Sequence, residues 1–262
     1  MAIKPNFHFV LVHGICHGAW CWYKMVHLLQ QDGHTVTAID LKSAGADPSV
    51  ADSIKSFEEY NQPLMDFLAQ LPSTEKIVLV GHSFGGVSLA AASEAFPEKI
   101  AVAVYLTALM IRGGDRLQEE LKLIQLDEEF NKQFIYKFED GPEQLPTSVA
   151  LPNALQKYLF YSTTPSADAT LASLCLRPVP HNIIVKNGLQ TSDEKYGTVP
   201  RVYIRTEKDN IVSPKIQQVF IDGSPPKEVH SLDCDHSPFF CLPDELHQLL
   251  LDIATRFNKT SI

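Results

Sequence analysis

Three side chains that together make a nucleophile stand in the order serine, aspartate, histidine: Ser83, Asp209 and His236. A serine hydroxyl attacks a carbonyl only when a base takes its proton, and a histidine is the usual base. A carboxylate behind the histidine then fixes its tautomer and stabilises its charged form. Ser83 is centred in Gly81-His82-Ser83-Phe84-Gly85, a G-x-S-x-G pentapeptide. That pattern gives a nucleophile elbow only where a strand runs straight into a helix. The run Lys76-Ile77-Val78-Leu79-Val80 before it is short, continuous and β-branched, as a doubly buried strand is. The run from Gly86 to Phe96 after it is rich in alanine and reads as a helix. Among ten histidines, His236 follows the last strand-like run, Glu228 to Leu232. Asp209 lies in the polar turn Thr206 to Asn210. Glu207 and Asp235 are rivals for the acid, and the later turn position favours Asp209 because it reaches toward the histidine loop.

The elements that must hold these residues alternate. Strand-like runs at 7–12, 35–40, 76–80 and 100–106 are separated by helical patterns at 19–31, 57–71 and 86–96. Such alternation predicts a parallel sheet with right-handed crossovers and helices on both faces, with ligands at the carboxyl ends of the strands. The fold class read from it is α/β with a mostly parallel central sheet, and with the elbow and the Ser-Asp-His order it is expected to be an α/β-hydrolase fold. The first strand ends at His13-Gly14-Ile15-Cys16-His17-Gly18, where this fold places one of two oxyanion donors. The expected donors are the backbone N–H groups of Ile15 and Phe84, and His13 is expected to hold the loop by hydrogen bonds. From about 110 to 198 the alternation stops; Leu117 to Phe130 reads as an amphipathic helix, and aromatic residues and prolines follow. The chain is therefore expected to be a single domain, 1–262, with a cap inserted at about 110–198. Alternation resumes at 200–205, with helices at 215–221 and 243–257.

The 262 residues carry 45% hydrophobic and 20% charged residues and a formal net charge of −9. That charge is a poor match to nucleic acid or to an anionic membrane surface. No apolar run is long enough to span a bilayer, and Met1 to Pro5 leads straight into a strand, so a cytoplasmic protein is expected. Cys16, Cys21, Cys175, Cys234 and Cys241 lack C-x-x-C spacing and fit a reduced chain. No H-E-x-x-H, G-x-G-x-x-G or P-loop pattern is present, so no metal or cofactor is expected. Asn258-Lys259-Thr260 is read as a chance sequon.

Phe9 to Gly14, His17 to Lys24, Gly33 to Leu41, Val80 to Gly86 and Phe96 to Ile100 resemble the plant methylesterase and hydroxynitrile lyase family of α/β-hydrolases. The likeness is weakest from about Arg112 to Lys195. It implies a cofactor-free serine hydrolase with Ser83, Asp209 and His236 as triad, Ile15 and Phe84 as oxyanion donors, and Gly14 against the substrate. The lyases of this family carry threonine or asparagine at the Gly14 position, or lysine at the Ser237 position. Neither signature is present, and the resemblance favours the esterase branch. Asp40 to Gly45, Tyr60 to Leu64, Pro200 to Ile204 and Asp235 to Phe240 look most like esterases of methyl indole-3-acetate, with alkaloid and iridoid esterases as relatives. The implied partner is a small-molecule methyl ester. Members of the family often form homodimers, though no dimer patch stands out. A small-molecule receptor on a hydrolase fold and a lyase are the rival functions.

Overall fold

The computed structural model describes residues 6–110, 122–124, 132–185 and 188–257. Six strands form the central sheet in the order β2-β1-β3-β4-β8-β9. They are β1 (His8–Val12), β2 (Thr35–Ile39), β3 (Ile77–His82), β4 (Ile100–Leu106), β8 (Arg201–Thr206) and β9 (Glu228–Leu232). Every neighbouring pair is parallel. The chain starts one strand in from an edge at β1, moves out to the edge at β2, then reverses through β3, β4, β8 and β9. Ligands bind where such a sheet changes winding direction, here at the carboxyl ends of β1 and β3.

The period of two along each strand sorts side chains to the two faces. Val10, Val12, Ile77 and Leu79 join one core with Tyr60, Leu64 and Leu68 of α2 (Phe57–Gln70) and Val87 of α3 (Gly85–Ala95). Phe9, Leu11, Val78 and Val80 join the other, with Met25 and Leu29 of α1 (Tyr23–Gln31) and Leu246, Leu250 and Ile253 of the closing helix Pro243–Phe257. All residues of β3 and β4 are buried, which is why both read as unbroken apolar runs.

The helix expected from Ala19 begins differently. Ala19–Trp22 is a 3-10 turn and α1 starts at Tyr23. Asp40 accounts for this: its Oδ1 accepts the N–H of Ala19 at 2.6 Å, and its Oδ2 accepts that of Ala46 at 3.0 Å. The carboxylate thereby fixes the entry to the helix and the loop after β2 together.

Between β4 and β8 the chain leaves the central sheet. It adds a small antiparallel sheet, β5 (Ile135–Lys137), β6 (Ser148–Ala150) and β7 (Val179–Pro180), and helices α4 (Asn153–Phe160) and α5 (Ser166–Cys175). The helix expected over 117–130 lies outside the described residues, apart from 122–124, as does the sequon at 258–260. Among the described residues no helix is long and apolar enough to cross a membrane.

Candidate active site

Ser83 sits between β3 and α3 with φ 55°, the left-handed region that side-chain-bearing residues rarely adopt. Its carbonyl is held by the N–H groups of Gly86 and Leu109, both at 3.1 Å, and its own N–H donates to Leu106 at 3.2 Å. The strain is thus fixed from both neighbouring segments, and Ser83 lines a cavity at the strand ends.

The turn after β8 brings Asp209 to His236. Nδ1 of His236 lies 2.6 Å from Oδ2 of Asp209, and both are buried. The same oxygen accepts the Thr107 hydroxyl at 2.6 Å, while Oδ1 accepts the N–H groups of Ile211 and Val212 at 2.8 and 2.9 Å. With Thr206 Oγ1 at 3.3 Å, five donors hold this buried carboxylate still. The rivals are occupied elsewhere. Glu207 pairs with Arg205 at the surface. Asp235 accepts two N–H groups and a hydroxyl from Thr163 and Thr164, so it ties the histidine loop to the β4–β8 segment.

His82, one residue before Ser83, donates from Nε2 to the backbone carbonyl of His236 at 2.7 Å. Its ring lies 4.6 Å from that of His236, and the ring of Phe160 stacks on His236 at 5.5 Å and 27°. His236 is therefore clamped between the elbow and α4.

The loop after β1 is built from backbone turns held by histidines. His13 Nδ1 donates to the Gly14 carbonyl at 2.7 Å and its Nε2 accepts the N–H of Leu41 at 3.1 Å. Cys16 turns the loop with φ 64°. Burial pushes its thiol up to about 12, so it stays protonated beside Ser83. Among the described residues, the N–H groups of Ile15 and Phe84 donate to no protein acceptor. Gly14 is not among the described residues that line the cavity. A Cβ there would lie 2.8 Å from Cβ of Ser83. Glycine lets the loop close onto the elbow at that position.

The cavity holds about 260 Å³. Ser83, Ile15 and Phe84 form its floor, and Phe134, Tyr136, Val149, Leu151, Phe160, Val179 and His181 of the β4–β8 segment form much of its wall. Among the described residues no Lys, Arg, Asp or Glu lines it.

The chain matches the α/β hydrolase family over residues 9–249. It is 42% identical to Methylesterase 17 of Arabidopsis thaliana over 255 residues, which is 96% of this chain and 92% of that protein. It belongs to the α/β hydrolase family, among its plant methylesterases. Methyl jasmonate esterase 1 of Vitis vinifera is 41% identical over 97% of this hydrolase and 99% of its own length. A methylesterase of known structure from Arabidopsis superposes with a TM-score of 0.86 at 35% identity, covering 95% of this chain and 99% of that one. The protein is a carboxylic ester hydrolase.

Sequence reasoning missed the part played by His17, although its place in the loop was visible. Burial, opposed in part by the hydrogen bond to Ile15, lowers its pKa to about 3. Burial also lowers His13, and lowers His82 well below the usual histidine value. A buried neutral histidine destabilises the fold in acid, because the unfolded chain takes up a proton below its pKa of 6.5 that the folded hydrolase refuses. Stability therefore rises with pH between about 3 and 6.5, and from pH 7.5 to 5.5 His17 alone costs on the order of 1 kcal/mol. His13 and His82 act in the same direction. The melting temperature is expected to fall over this interval by several degrees, read by differential scanning fluorimetry; a flat profile would contradict the neutral assignment.

Proposed function

We propose that the hydrolase cleaves the methyl ester of a small apolar carboxylic acid, a plant hormone or specialised metabolite, to the free acid and methanol. The observation that carries this reading is the Asp209–His236 pair, whose imidazole lies 4.6 Å from the ring of His82, the neighbour of the strained Ser83, together with a cavity lined by Ser83 and free of charged side chains among the described residues. In this mechanism Ser83 Oγ attacks the ester carbonyl while His236 Nε2 takes its proton. The N–H groups of Ile15 and Phe84 receive the oxyanion. His236 returns the proton to the leaving methoxide, and methanol departs. Water, deprotonated by His236, then attacks the acyl-serine ester; collapse of the second tetrahedral adduct frees the acid and restores Ser83. The β4–β8 segment acts as the cap that keeps bulk water from the acyl group.

A neutral ester enters such a cavity readily, whereas its anionic product finds no cation among the described lining residues and leaves. The aromatic faces of Phe84, Phe134, Tyr136 and Phe160 favour an aromatic acyl group, and the hormone-sized volume favours methyl indole-3-acetate over a bulky alkaloid ester. Ser237 offers no positive charge to a departing cyanide, which weighs against a lyase.

Methanol release tests this with methyl indole-3-acetate, methyl jasmonate, methyl salicylate and an alkaloid methyl ester. The highest kcat/KM is expected for methyl indole-3-acetate. Preference for another of these esters would overturn the acyl assignment, and turnover of none would overturn the esterase reading.

A further inference from the structure

His17 is buried beneath the loop that carries Ile15, and both of its ring nitrogens are engaged. Nδ1 lies 2.8 Å from the Ile15 carbonyl, and Nε2 lies 2.7 Å from the hydroxyl of Tyr161. A carbonyl only accepts, so the proton of the neutral ring is on Nδ1. Nε2 is then an acceptor, and Tyr161 donates to it. The two hydrogen bonds run one way: Tyr161 O–H to His17, and His17 N–H to the carbonyl of Ile15.

The ring has no freedom to choose another partner. It stacks on Trp20 at 5.6 Å and 16°, and Phe160, Phe239 and His82 present edges to it at 5.5 to 6.3 Å. Tyr161 is itself 1% exposed and immediately follows α4. It belongs to the β4–β8 segment, 144 residues from His17 in the chain.

The geometry of the peptide turns this into a statement about the oxyanion donor. In a trans peptide the C=O and N–H point in opposite directions within one plane. His13 holds the Gly14 carbonyl, and so aims the N–H of Ile15 in that same plane. His17 holds the next carbonyl, that of Ile15, and so fixes the peptide on the other side of the Cα. With both planes held, the backbone at Ile15 has no soft rotation left, and Cys16 keeps its unfavourable φ.

We propose that Tyr161 and His17 are positioning residues for the oxyanion hole, forming a relay through which the segment over the cavity sets the N–H of Ile15. The inference rests on the esterase reading above, in which that N–H receives the oxyanion. The relay explains why the segment that shapes the acyl pocket also matters to a transition state it never touches. Phe160 of the same segment meets His236 while Tyr161 meets His17, so two consecutive residues support the base and the oxyanion donor.

The test compares Tyr161→Phe, His17→Leu and His17→Gln with the parent enzyme, using p-nitrophenyl acetate as substrate. A second readout is the inhibition constant of an aryl trifluoromethyl ketone, whose adduct with Ser83 carries an oxyanion. Tyr161→Phe removes one hydroxyl and is expected to lower kcat about 10-fold with KM changed less than 2-fold. It should weaken the ketone by the same factor, because both losses come from a misaligned donor. His17→Leu is expected to lower kcat about 100-fold, with His17→Gln restoring much of it, since an amide both donates and accepts. Ser83→Ala, run beside them, separates the two claims. If it keeps turnover, the esterase mechanism fails. If it abolishes turnover while Tyr161→Phe leaves kcat and ketone affinity unchanged, the relay alone fails. Should His17→Leu not fold, Tyr161→Phe still decides, because it preserves the ring and its packing.

Discussion

Ser83→Ala is expected to lower kcat for ester hydrolysis by about 10⁵- to 10⁶-fold, and Ser83→Ala combined with His236→Ala should be no worse. Both follow from residues that act as one unit: without the hydroxyl there is nothing for the base to deprotonate, and without the base the hydroxyl is inert. Asp209→Asn is expected to cost about 10⁴-fold, although it is nearly isosteric. Asp209 accepts from His236 Nδ1–H, from Thr107 and from two backbone N–H groups. An asparagine NH₂ turned toward Nδ1 would donate to it, leaving the imidazole proton on Nε2, where it cannot take one from Ser83. Turned the other way, it would aim N–H against the N–H groups of Ile211 and Val212. Steady-state rates on one ester check these values, and intact-protein mass spectrometry should trap an acyl-enzyme in the parent protein but not in Ser83→Ala. More than about 1% residual activity in Ser83→Ala, or losses that add in the double variant, would contradict the triad.

Which parts of this site can be read from sequence depends on how far apart its members lie. The elbow is a local device: strand, pentapeptide and helix are contiguous, and the observed β3 and α3 bracket Ser83 as the pattern requires. The alternation of strands and helices gave the six-stranded parallel sheet, because doubly buried strands announce themselves as apolar runs. Choosing Asp209 over Glu207 needed only the phase of a turn. The 3-10 start at Ala19 was not legible, since it depends on Asp40, which is 21 residues away. Nor were the ties that dock the β4–β8 segment. Asp168 accepts from Tyr23 and Lys24 of α1 at 2.6 and 2.7 Å, and Asp235 accepts from Thr163 and Thr164. In the sequence these are ordinary polar residues on helices and loops. The same holds for Tyr161 and His17: an aromatic in a cap reads as core packing, and only the fold reveals the atom its hydroxyl meets. Gly14 has a further structural reason that the sequence did not show, the closeness of Ser83, whose Cβ a Cβ at Gly14 would meet at 2.8 Å.

Gly86→Ala is expected to be the most destabilising single methyl this chain could acquire near the site. A Cβ at Gly86 would fall 2.1 Å from the carbonyl oxygen of Leu109 and 3.0 Å from its carbon. The obstacle is backbone, and it cannot retreat. The N–H of Leu109 donates to the Ser83 carbonyl at 3.1 Å, and Thr107, two residues earlier, has φ 41° with its N–H on Ile204 at 2.8 Å. Moving Leu109 would thus pull on the elbow, on the sheet, and through the Thr107 hydroxyl on Asp209. Relief by shifting α3 is also blocked, since Gly85 already lies against the carbonyls of Val12 and His13. Overpacking of this kind costs about 3 kcal/mol or more, which for a domain of this size is a melting temperature lower by roughly 6–12 °C, with much of the protein insoluble on expression. Gly188→Ala, where nothing among the described residues lies within 4 Å, should stay within about 0.5 kcal/mol of the parent. Scanning fluorimetry on both variants decides. A Gly86→Ala protein melting within a degree of the parent would mean that the chain after β4 yields freely, and the rigidity ascribed here to the Ser83 elbow would be lost with it.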